Sequence, residues 1–446
     1  MHRRWRRSLA GLSSVLTLAG VGVAQADPAG PPSAGPPMAP GADAAIVWNR
    51  ELLTIVRTKG AQPATVHPTR SFALMHVAIY DAVEAIDRRY VLYGVKAGST
   101  SPASPAAAAD QAAHDVLVAL YPSMTAQIDQ QLTGALATVP DGPRKNAGVA
   151  VGADVAHKVL TLRAADGSSA TPPTYMSTNA PGDYQPAAGQ TQPVFTHWGA
   201  VTPWVIRSAD QFPVAPPPAL TSTAYADAIN QIQSVGRDTS ATRTADQTQA
   251  AQFWGAPIQN YWNEITQNQA MLHHYGLERD ARLFAQVNMA FADSTIAFYK
   301  AKYQYRLWRP ETAIHSLADD GNAQTTPDPT WKPLLPTPND PSYPGAHSVI
   351  SAAGATILRG WFGDHVSLTV TSEVLTTVQR HFDSFSAAVK EAGLSRTWAG
   401  VHTSLDDAAG QALGARIGGF VGKHALRHVR HGRRPQHAHR KAQQRY

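Results

Sequence analysis

Cysteine is missing from all 446 residues of the sequence. Disulfide scaffolds, zinc–thiolate sites, iron–sulfur ligation and a thiol nucleophile are therefore excluded. Charged residues are scarce at 16%, whereas 43% of the residues are hydrophobic. This balance supplies enough apolar surface for one large domain or two ordinary ones, and it argues against extensive disorder.

Net positive charge is missing from the middle of the chain and is confined to its two ends. The formal net charge is +6, but four arginines precede Ala26, and eight Lys/Arg residues follow Gly422 without any acidic residue. The ends thus hold +12, which leaves −6 for residues 27–422. A nucleic-acid-binding body is not indicated, and nucleic acid is not an expected partner.

Beyond the N-terminal region, no run of 18 uninterrupted apolar residues occurs, so no membrane span is predicted there. The arginines near the start precede a short apolar stretch, 9–23, and the A-x-A sequence Ala24-Gln25-Ala26. This pattern predicts a signal peptide over 1–26 and a secreted or periplasmic protein beginning at Asp27. A membrane anchor is disfavoured because the apolar stretch is short, and the choice between general and twin-arginine export stays open.

Composition predicts the remaining domain boundaries. Residues 27–42 are rich in Pro, Gly and Ala and are expected to form a flexible leader. Residues 43–422 are expected to form a single helical domain, whose motif-bearing half spans about 277–422. Residues 423–446 are rich in His and Arg and are predicted to be a disordered tail, which its charge would attract to an anionic cell envelope.

Apolar residues recur at helical spacing through residues 43–422, without a convincing alternating strand pattern. The sequence therefore predicts an all-α, multi-helix bundle with long ordered loops. The longer loops are 166–219, expected to pack over the bundle, and 316–345. The predicted helices are 46–58, 71–86, 105–120, 123–139, 142–165, 220–235, 243–254, 277–305, 346–362, 367–392 and 395–424.

The predicted helix 277–305 carries the first group of candidate functional residues. Phe284, Phe291 and Phe298 lie on one apolar face, and Lys302 extends that face toward the core. A buried ammonium group needs an anion. Arg309 follows seven residues later, directly before a proline that should end the helix, and its guanidinium suits a tetrahedral oxyanion.

The second group is Pro344-Gly345-Ala346-His347. Pro and Gly predict a tight turn into the helix that begins near Ala346, and a helix N-terminus offers free amides and a positive dipole end to an anion. His347 is expected on the first turn of that helix.

The third group is Ser395-Arg396 followed by His402 and Asp406. We expect His402 and Asp406, four residues apart, to share the buried face of helix 395–424, with Arg396 at its start as a third cation. The carboxylate of Asp406 would then orient the imidazole of His402. Each residue alone is typical of an ordinary structural contact. Together the three groups predict a cradle for phosphate or a similar oxyanion.

These three groups resemble the signature of the type 2 phosphatidic acid phosphatases and the vanadium-dependent haloperoxidases. That signature reads Lys-x6-Arg-Pro, then Pro-Ser-Gly-His, then Ser-Arg-x5-His-x3-Asp. The first and third groups match it fully, and the second matches in part. Residues 76–82 and 243–248 are weakly similar to soluble bacterial haloperoxidases. The resemblance implies the helical-bundle fold of this superfamily.

The resemblance also implies a role for each candidate residue. His402 corresponds to the axial ligand of vanadate or to the nucleophile that takes up a phosphoryl group, and Asp406 to the residue that orients it. His347 corresponds to the general acid/base. The residues that correspond to the oxyanion-binding groups are Lys302, Arg309, Gly345, Ala346 and Arg396.

The sequence departs from the family pattern at three positions. Gly345 replaces the serine of the second motif and removes a hydroxyl group, and Ala346 replaces the following glycine. Asp340 lies five residues before Gly345, where halogenating relatives carry an aromatic residue or histidine. An acid at that position is expected to repel halide.

Three functions are compatible with these residues. The first is a secreted vanadium-dependent haloperoxidase-like enzyme that binds vanadate and oxidises a small-molecule substrate, halide included, with hydrogen peroxide. The second is a secreted acid phosphatase that needs no cofactor and cleaves a soluble phosphomonoester through a phosphohistidine. The third is a non-catalytic oxyanion-binding surface protein. The halide, the organic substrate, the vanadium loading and the oligomeric state stay open, with a homodimer among the options.

A second histidine group is a weaker candidate. His273, His274 and Glu278 carry metal-ligating side chains, but their spacing matches no known metal motif. An ordinary surface position is therefore the favoured interpretation.

Overall fold

The computed structural model describes residues 42–95, 102–186, 189–190 and 192–429. The predicted signal peptide, all but the last residue of the predicted leader, and residues 430–446 lie outside this part. Within the described ranges the chain forms thirteen α-helices and one two-stranded hairpin, so the all-α prediction is confirmed. No helix of the described residues is both long and apolar enough to span a membrane.

The described helices and strands follow one another in chain order. They are α1 (Ala44–Arg57), α2 (Pro68–Asp87), α3 (Pro105–Leu120), α4 (Thr125–Ala137), α5 (Pro143–Leu162), α6 (Thr223–Val235), α7 (Ala245–Phe253), α8 (Ile258–His273), α9 (Leu277–Tyr305), α10 (Pro310–His315), α11 (Ala346–Phe362), β1 (His365–Thr371), β2 (Gln379–Ser384), α12 (Phe385–Trp398) and α13 (Ser404–His424).

Helix α9 runs through the centre of the bundle. Nearly every residue between Asp280 and Lys302 is buried, because α1, α2, α8, α11 and α13 all pack against this helix. The predicted apolar face is buried as expected, and Lys302 at its end is fully buried. The helix ends at Tyr305, where Arg306 adopts a left-handed conformation with φ 53°. The central helix thus delivers one buried cation to its carboxyl end.

Close packing of α11 on α13 fixes the distance between the second and third motifs. Gly410, Gly414 and Gly418 repeat every four residues and form one face of α13. A Cβ atom at Gly414 would lie only 2.0 Å from the carbonyl oxygen of Val349, so the glycine lets the two backbones approach. The beginnings of α11 and α13 are therefore held side by side.

The long loop 166–219 packs over the bundle as predicted, in the part that the structure describes. The buried carboxylate of Asp293 on α9 accepts hydrogen bonds from the amides of Trp204, Val205 and Ile206, at 2.6 to 2.9 Å. Three backbone donors compensate the burial of this carboxylate. One side chain of the central helix thereby anchors the loop.

Two predicted helices are wrong near the C-terminus. The segment predicted as helix 367–392 instead begins with the antiparallel hairpin β1–β2, whose first strand alternates exposed and buried residues. The helix predicted over 395–424 is interrupted at Gly400, which has φ +82° and approaches the carbonyl oxygen of Gly236. Arg396 therefore lies in the last turn of α12, and His402 precedes α13 rather than lying on it.

The boundary of the predicted tail is placed too early at Gly422. Helix α13 continues to His424, and Ala425 and Leu426 are buried. Beyond them, Val429 donates a backbone hydrogen bond to Arg89 at 2.9 Å. Residues 423–429 therefore belong to the folded domain, and only residues 430–446 stay a prediction of disorder.

Candidate active site

Lys302 and Arg309 meet one carboxylate in the loop that precedes α11. The Nζ atom of Lys302 lies 3.2 Å from Oδ2 of Asp340 and also donates to the carbonyl oxygens of Pro341 and Ser342. Arg309 donates from Nη2 to Oδ1 of Asp340 at 2.5 Å and from Nε to its carbonyl oxygen at 2.7 Å. All three charged side chains are buried. The acid predicted to repel halide is thus an ion-pair partner of two cations of the site.

The electrostatics of this group keep Asp340 ionised. Burial alone would raise the pKa of its carboxyl group, but Lys302 and Arg309 outweigh that effect and hold the pKa below its ordinary value of 3.8. Burial lowers the pKa of Lys302 to about 8, although Asp340 opposes that shift. At neutral pH, Asp340 is therefore an anion and Lys302 a cation.

The imidazole of His402 lies between Arg309 and Asp406. Its Nε2 atom is 3.0 Å from Nη1 of Arg309, and its Nδ1 atom is 3.3 Å from Oδ2 of Asp406. Because a guanidinium can only donate, Nε2 accepts, and Nδ1 of the neutral ring carries the proton toward Asp406. Ser342 also donates to Oδ2 of Asp406 at 2.8 Å. The first and third motifs therefore meet at one histidine.

The contact between His402 and Asp406 arises from a helix cap rather than from one helical face. Thr403 is the N-cap of α13, and Asp406 is the third residue of a capping box. Oδ2 of Asp406 accepts from the amide of Thr403 at 2.8 Å, which turns the carboxylate back toward the segment before the helix. The predicted pair exists, but its predicted helical geometry is wrong.

His402 is neutral over the ordinary pH range. Burial, followed by the charge of Arg309, lowers its pKa to about 3, although Asp406 acts in the opposite direction. A neutral imidazole keeps a lone pair on Nε2. That lone pair is what a nucleophile or a ligand of an oxyanion centre requires.

Arg396 brings the third cation to the site without a carboxylate partner. Its side chain is buried, Nη1 donates weakly to the carbonyl oxygen of Trp254 at 3.4 Å, and Nε has no partner among the described residues. Burial, and then the charge of Arg309, lowers its pKa to about 10, so the guanidinium stays charged at neutral pH. An unpartnered, buried Arg N–H group is costly unless an anion satisfies it.

His347 lies on the first turn of α11, as predicted. Its Nε2 atom is 3.0 Å from the carbonyl oxygen of Trp254, so Nε2–H donates and Nδ1 carries the lone pair. Desolvation of the half-buried ring, and then Arg396 and His402, lower its pKa well below 6.5. A neutral His347 can accept a proton at Nδ1.

The amides of the second motif are divided between two tasks. Gly345 donates its N–H to the carbonyl oxygen of Asp406 at 2.9 Å, so this amide joins α11 to α13 instead of facing an anion. No side chain of the described residues caps α11. The amides of Ala346 and His347, in the first turn of α11, are therefore those in this motif that an oxyanion could still use.

Sequence reasoning missed two contributors to the site. Ser342 supports both Lys302, through its carbonyl oxygen, and Asp406, through its hydroxyl group. The carbonyl oxygen of Trp254 faces both His347 and Arg396. The position of a backbone carbonyl oxygen cannot be read from a sequence motif. Ser342 lies only two residues before Pro344. This closeness to the second motif was the one feature of the sequence that could have identified Ser342 as part of the site.

The second histidine group does not form a metal centre. His273 stacks on Phe362 with ring centroids 4.4 Å apart, and Glu278 pairs with Arg89 at 3.0 Å. Across the part of the chain that the structure describes, no cluster of three or more metal-ligating His, Asp or Glu residues occurs.

The charge balance of the main site favours an anionic ligand. Three buried cations, Lys302, Arg309 and Arg396, face two buried carboxylates, those of Asp340 and Asp406. His402 adds no charge because it is neutral. One positive charge is left without a counter-ion in the described residues, beside the unpartnered N–H group of Arg396. A tetrahedral oxyanion suits such a group of donors.

The C-terminal part of the chain, which holds the site, matches a known family model. Residues 282–431 match the family model of the VCPO second helical-bundle domain. The vanadium chloroperoxidase of Curvularia inaequalis is 25% identical over 289 residues, which cover 48% of this chain and 46% of that protein. The match thus spans less than half of the relative's length.

Solved structures share the fold. The crystal structure of the first bacterial vanadium-dependent iodoperoxidase superposes with a TM-score of 0.74 at 24% identity, over 87% of this chain and 97% of that one. A holo-type bacterial vanadium-dependent chloroperoxidase superposes with a TM-score of 0.66 at 17% identity, over 79% and 90% of the two chains. At these sequence identities, the similarity to the two solved structures shows a shared fold.

Proposed function

We propose that this chain, for which the matches above indicate the vanadium haloperoxidase superfamily, is a vanadate-dependent peroxidase that oxidises a small substrate, halide included, with hydrogen peroxide. The observation that carries the proposal is the convergence on His402 of residues from motifs about a hundred positions apart, with Arg309 Nη1 only 3.0 Å from His402 Nε2. The surplus of buried positive charge beside Arg396 supports an oxyanion as the cofactor.

The residues present fit vanadate. Arg309 would exchange its hydrogen bond to Nε2 of His402 for one to an oxygen of vanadate, so that the Nε2 lone pair could hold the group. Lys302, Arg396 and the amide of Ala346 would hold its other oxygens. Vanadate supplies a Lewis-acidic oxyanion centre that activates hydrogen peroxide. The chain's own contribution is to fix and neutralise these oxygens in a buried site, where charge interactions are strong.

His347 is the proposed proton carrier. Its Nε2–H is held by the carbonyl oxygen of Trp254, so its Nδ1 is the atom that would take a proton from an incoming peroxide and return it later. Its lowered pKa keeps it neutral and ready to accept in the resting protein.

A second function, that of an acid phosphatase, is favoured by His402. Its neutral ring offers Nε2 as a nucleophile, and phosphoryl transfer requires no halide site. In this reaction Nε2 of His402 would attack phosphorus, His347 would protonate the leaving oxygen, and water would then cleave the phosphorus–nitrogen bond. This activity would need no cofactor.

Paired assays distinguish the two functions. The purified protein is assayed for peroxide-dependent oxidation of iodide, bromide and chloride, and separately for hydrolysis of a soluble phosphomonoester, before and after loading with vanadate. A peroxidase gains halide oxidation on loading. A phosphatase hydrolyses the phosphomonoester before vanadate is added, and vanadate inhibits that hydrolysis. Absence of both activities, with vanadate bound, would favour the non-catalytic oxyanion-binding protein.

We also propose that the chain is exported, on the basis of its N-terminal arginines, short apolar stretch and Ala24-Gln25-Ala26 sequence. The mature N-terminus should be Asp27. Mass spectrometry of protein recovered from outside the cytoplasm tests this directly, and the presence of Met1 to Ala26 in that protein would contradict it.

A further inference from the structure

A second cleft lies at the other end of the central helices. Its volume is about 590 Å³, and its walls come from the start of α9, the last turns of α11 and α13, and the segment after α13. Arg282 on α9 lines it and lies twenty residues before Lys302. At 1.5 Å per residue, about 30 Å therefore separate the cleft from the oxyanion site.

Two guanidinium groups face this cleft, and both are held by aromatic rings. Arg279 lies 3.6 Å from the ring centroid of Tyr275, and Arg282 lies 4.6 Å from that of Tyr90. Trp361 lies between them, 5.6 Å and 5.1 Å from the two guanidinium carbons. Stacking fixes the planes of both cations and leaves most of their N–H groups free to bind.

Neither arginine forms an ion pair with any described residue. Arg282 donates only from Nε, to the carbonyl oxygen of Leu426 at 2.8 Å. Two acids on neighbouring segments serve other groups: Glu278 pairs with Arg89, and Glu84 accepts the amides of Arg89 and Tyr90. The charge of Glu84 acts on Arg282 without forming an ion pair, so both guanidinium groups keep N–H groups free for an anion.

Glycines keep the cleft open where packing does not require them. A Cβ atom at Gly360 would have no neighbour within 4 Å, and one at Gly419 would touch only the methyl group of Thr356, at 4.0 Å. A glycine inside a helix costs about 0.5–1 kcal/mol relative to alanine. Gly414, by contrast, is required by the close contact with Val349. Gly360 and Gly419 instead give the cleft a flat wall that is lined by backbone atoms.

We propose that this cleft is a binding site for a small aromatic carboxylate. Its carboxylate would bind the N–H groups of Arg279 and Arg282, a pairing that guanidinium geometry favours. Its planar ring would lie against the glycine wall and contact Trp361 and His428. A volume of about 590 Å³ lies within the range of small-molecule sites. The site is independent of the proposed peroxidase or phosphatase activity.

Calorimetric titration of the full chain with benzoate tests this proposal. Benzoate should bind saturably, and Arg279→Gln should weaken binding about tenfold. Arg279 has no hydrogen bond to the described residues, so this substitution should remove only its ring contacts and lower the melting temperature slightly. The matched control is Arg359→Gln, because Arg359 is exposed and donates to Ser386 away from the cleft. This control should bind benzoate as the wild type does.

Four further arms define the ligand and its location. Benzamide, which lacks the charge, and acetate, which lacks the ring, should each bind at least tenfold more weakly than benzoate. Saturation with vanadate should leave benzoate binding unchanged. Gly419→Leu should abolish benzoate binding, because its side chain would fill the cleft. Lack of benzoate binding, undiminished binding by Arg279→Gln, or competition by vanadate would overturn the proposal.

Discussion

At the carboxyl end of α9, Lys302 is buried against Asp340, whereas at the amino end Asp280 is buried beside Asp43 with no cation in contact among the described residues. The pKa of Asp340 lies below 3.8, because nearby cations outweigh the effect of burial. The pKa of Asp280 is raised to about 8, first by burial and then by Asp43. The carboxyl end of α9 thus faces an ionised carboxylate from another segment, whereas its amino end carries a protonated one.

This difference shows where the molecule concentrates buried positive charge. At the amino end, the acid pair keeps a proton, and Arg279 and Arg282 point to an open cleft. At the carboxyl end, three cations are buried together and only partly neutralised. Burying charge at such a cost is typical of functional sites. The contrast therefore supports the carboxyl end of α9 as the catalytic end.

The largest effect is expected from Lys302→Met. Asp340 would keep only Arg309 as a partner, and loss of one member of a buried ion pair costs about 3 kcal/mol or more. Urea unfolding should show this loss of stability, and the same substitution in an Asp340→Asn background should cost clearly less. Equal losses in the two backgrounds would show that Lys302 and Asp340 are not coupled.

Asp280→Asn tests the amino end. Because the pKa of Asp280 is about 8 in the folded protein and about 3.9 in an unfolded chain, its contribution to stability is complete below pH 4 and is lost as the pH rises toward 8. An asparagine cannot ionise, so the variant should gain stability relative to wild type as the pH rises from 4 to 8. Parallel stability curves for the two proteins between pH 4 and 8 would contradict the raised pKa.

Asp340→Asn tests the carboxyl end of α9 and is expected to have a smaller effect than Lys302→Met. Removing the charge that competes for Lys302 and Arg309 should tighten vanadate binding about tenfold, or about 1.4 kcal/mol. Titration calorimetry measures the change, and Asp141→Asn, at an exposed position just before α5, serves as the control. Weaker binding by the variant would mean that Asp340 positions the two cations rather than competing for them.

The smallest effect concerns the two classes of glycine on α13. Gly419→Ala, at the open cleft, should raise the free energy of unfolding by about 0.5 kcal/mol through helix propensity. Gly414→Ala is the comparator and should lower it, because the new Cβ would meet the carbonyl oxygen of Val349. Thermal unfolding of both variants tests the distinction. Destabilisation by both would show that Gly419 also has a packing role.

The parts of the fold that follow an apolar pattern could be predicted from sequence. Helices α9 and α11 begin and end at the predicted residues, because α9 has a periodic apolar face and Pro344-Gly345 marks the start of α11. Helix α8 was missed because more than half of its buried residues are polar. Asn263 on α8 and Asn288 on α9 exchange amide hydrogen bonds at 3.1 and 2.9 Å, which hydrophobic periodicity does not reveal.

The site could be predicted as a set of residues but not as a geometry. Motif spacing identified Lys302, Arg309 and His402, which the fold brings together. The ion pairs of Asp340 depend on a loop more than thirty residues from Lys302, and no local pattern specifies how that loop turns. The break at Gly400 likewise depends on contact with Gly236, a residue far away in sequence.

Vanadium retention tests the central claim most directly. Wild type, His402→Ala and His347→Ala are dialysed to equilibrium against vanadate, and the bound metal is measured. We expect about one vanadium per chain in wild type, at least a hundredfold weaker binding in His402→Ala because the Nε2 ligand is lost, and near-normal binding in His347→Ala because its role is proton transfer. Equal retention of vanadium by His402→Ala and wild type would contradict the assignment of His402 as the ligand, and with it the proposed site.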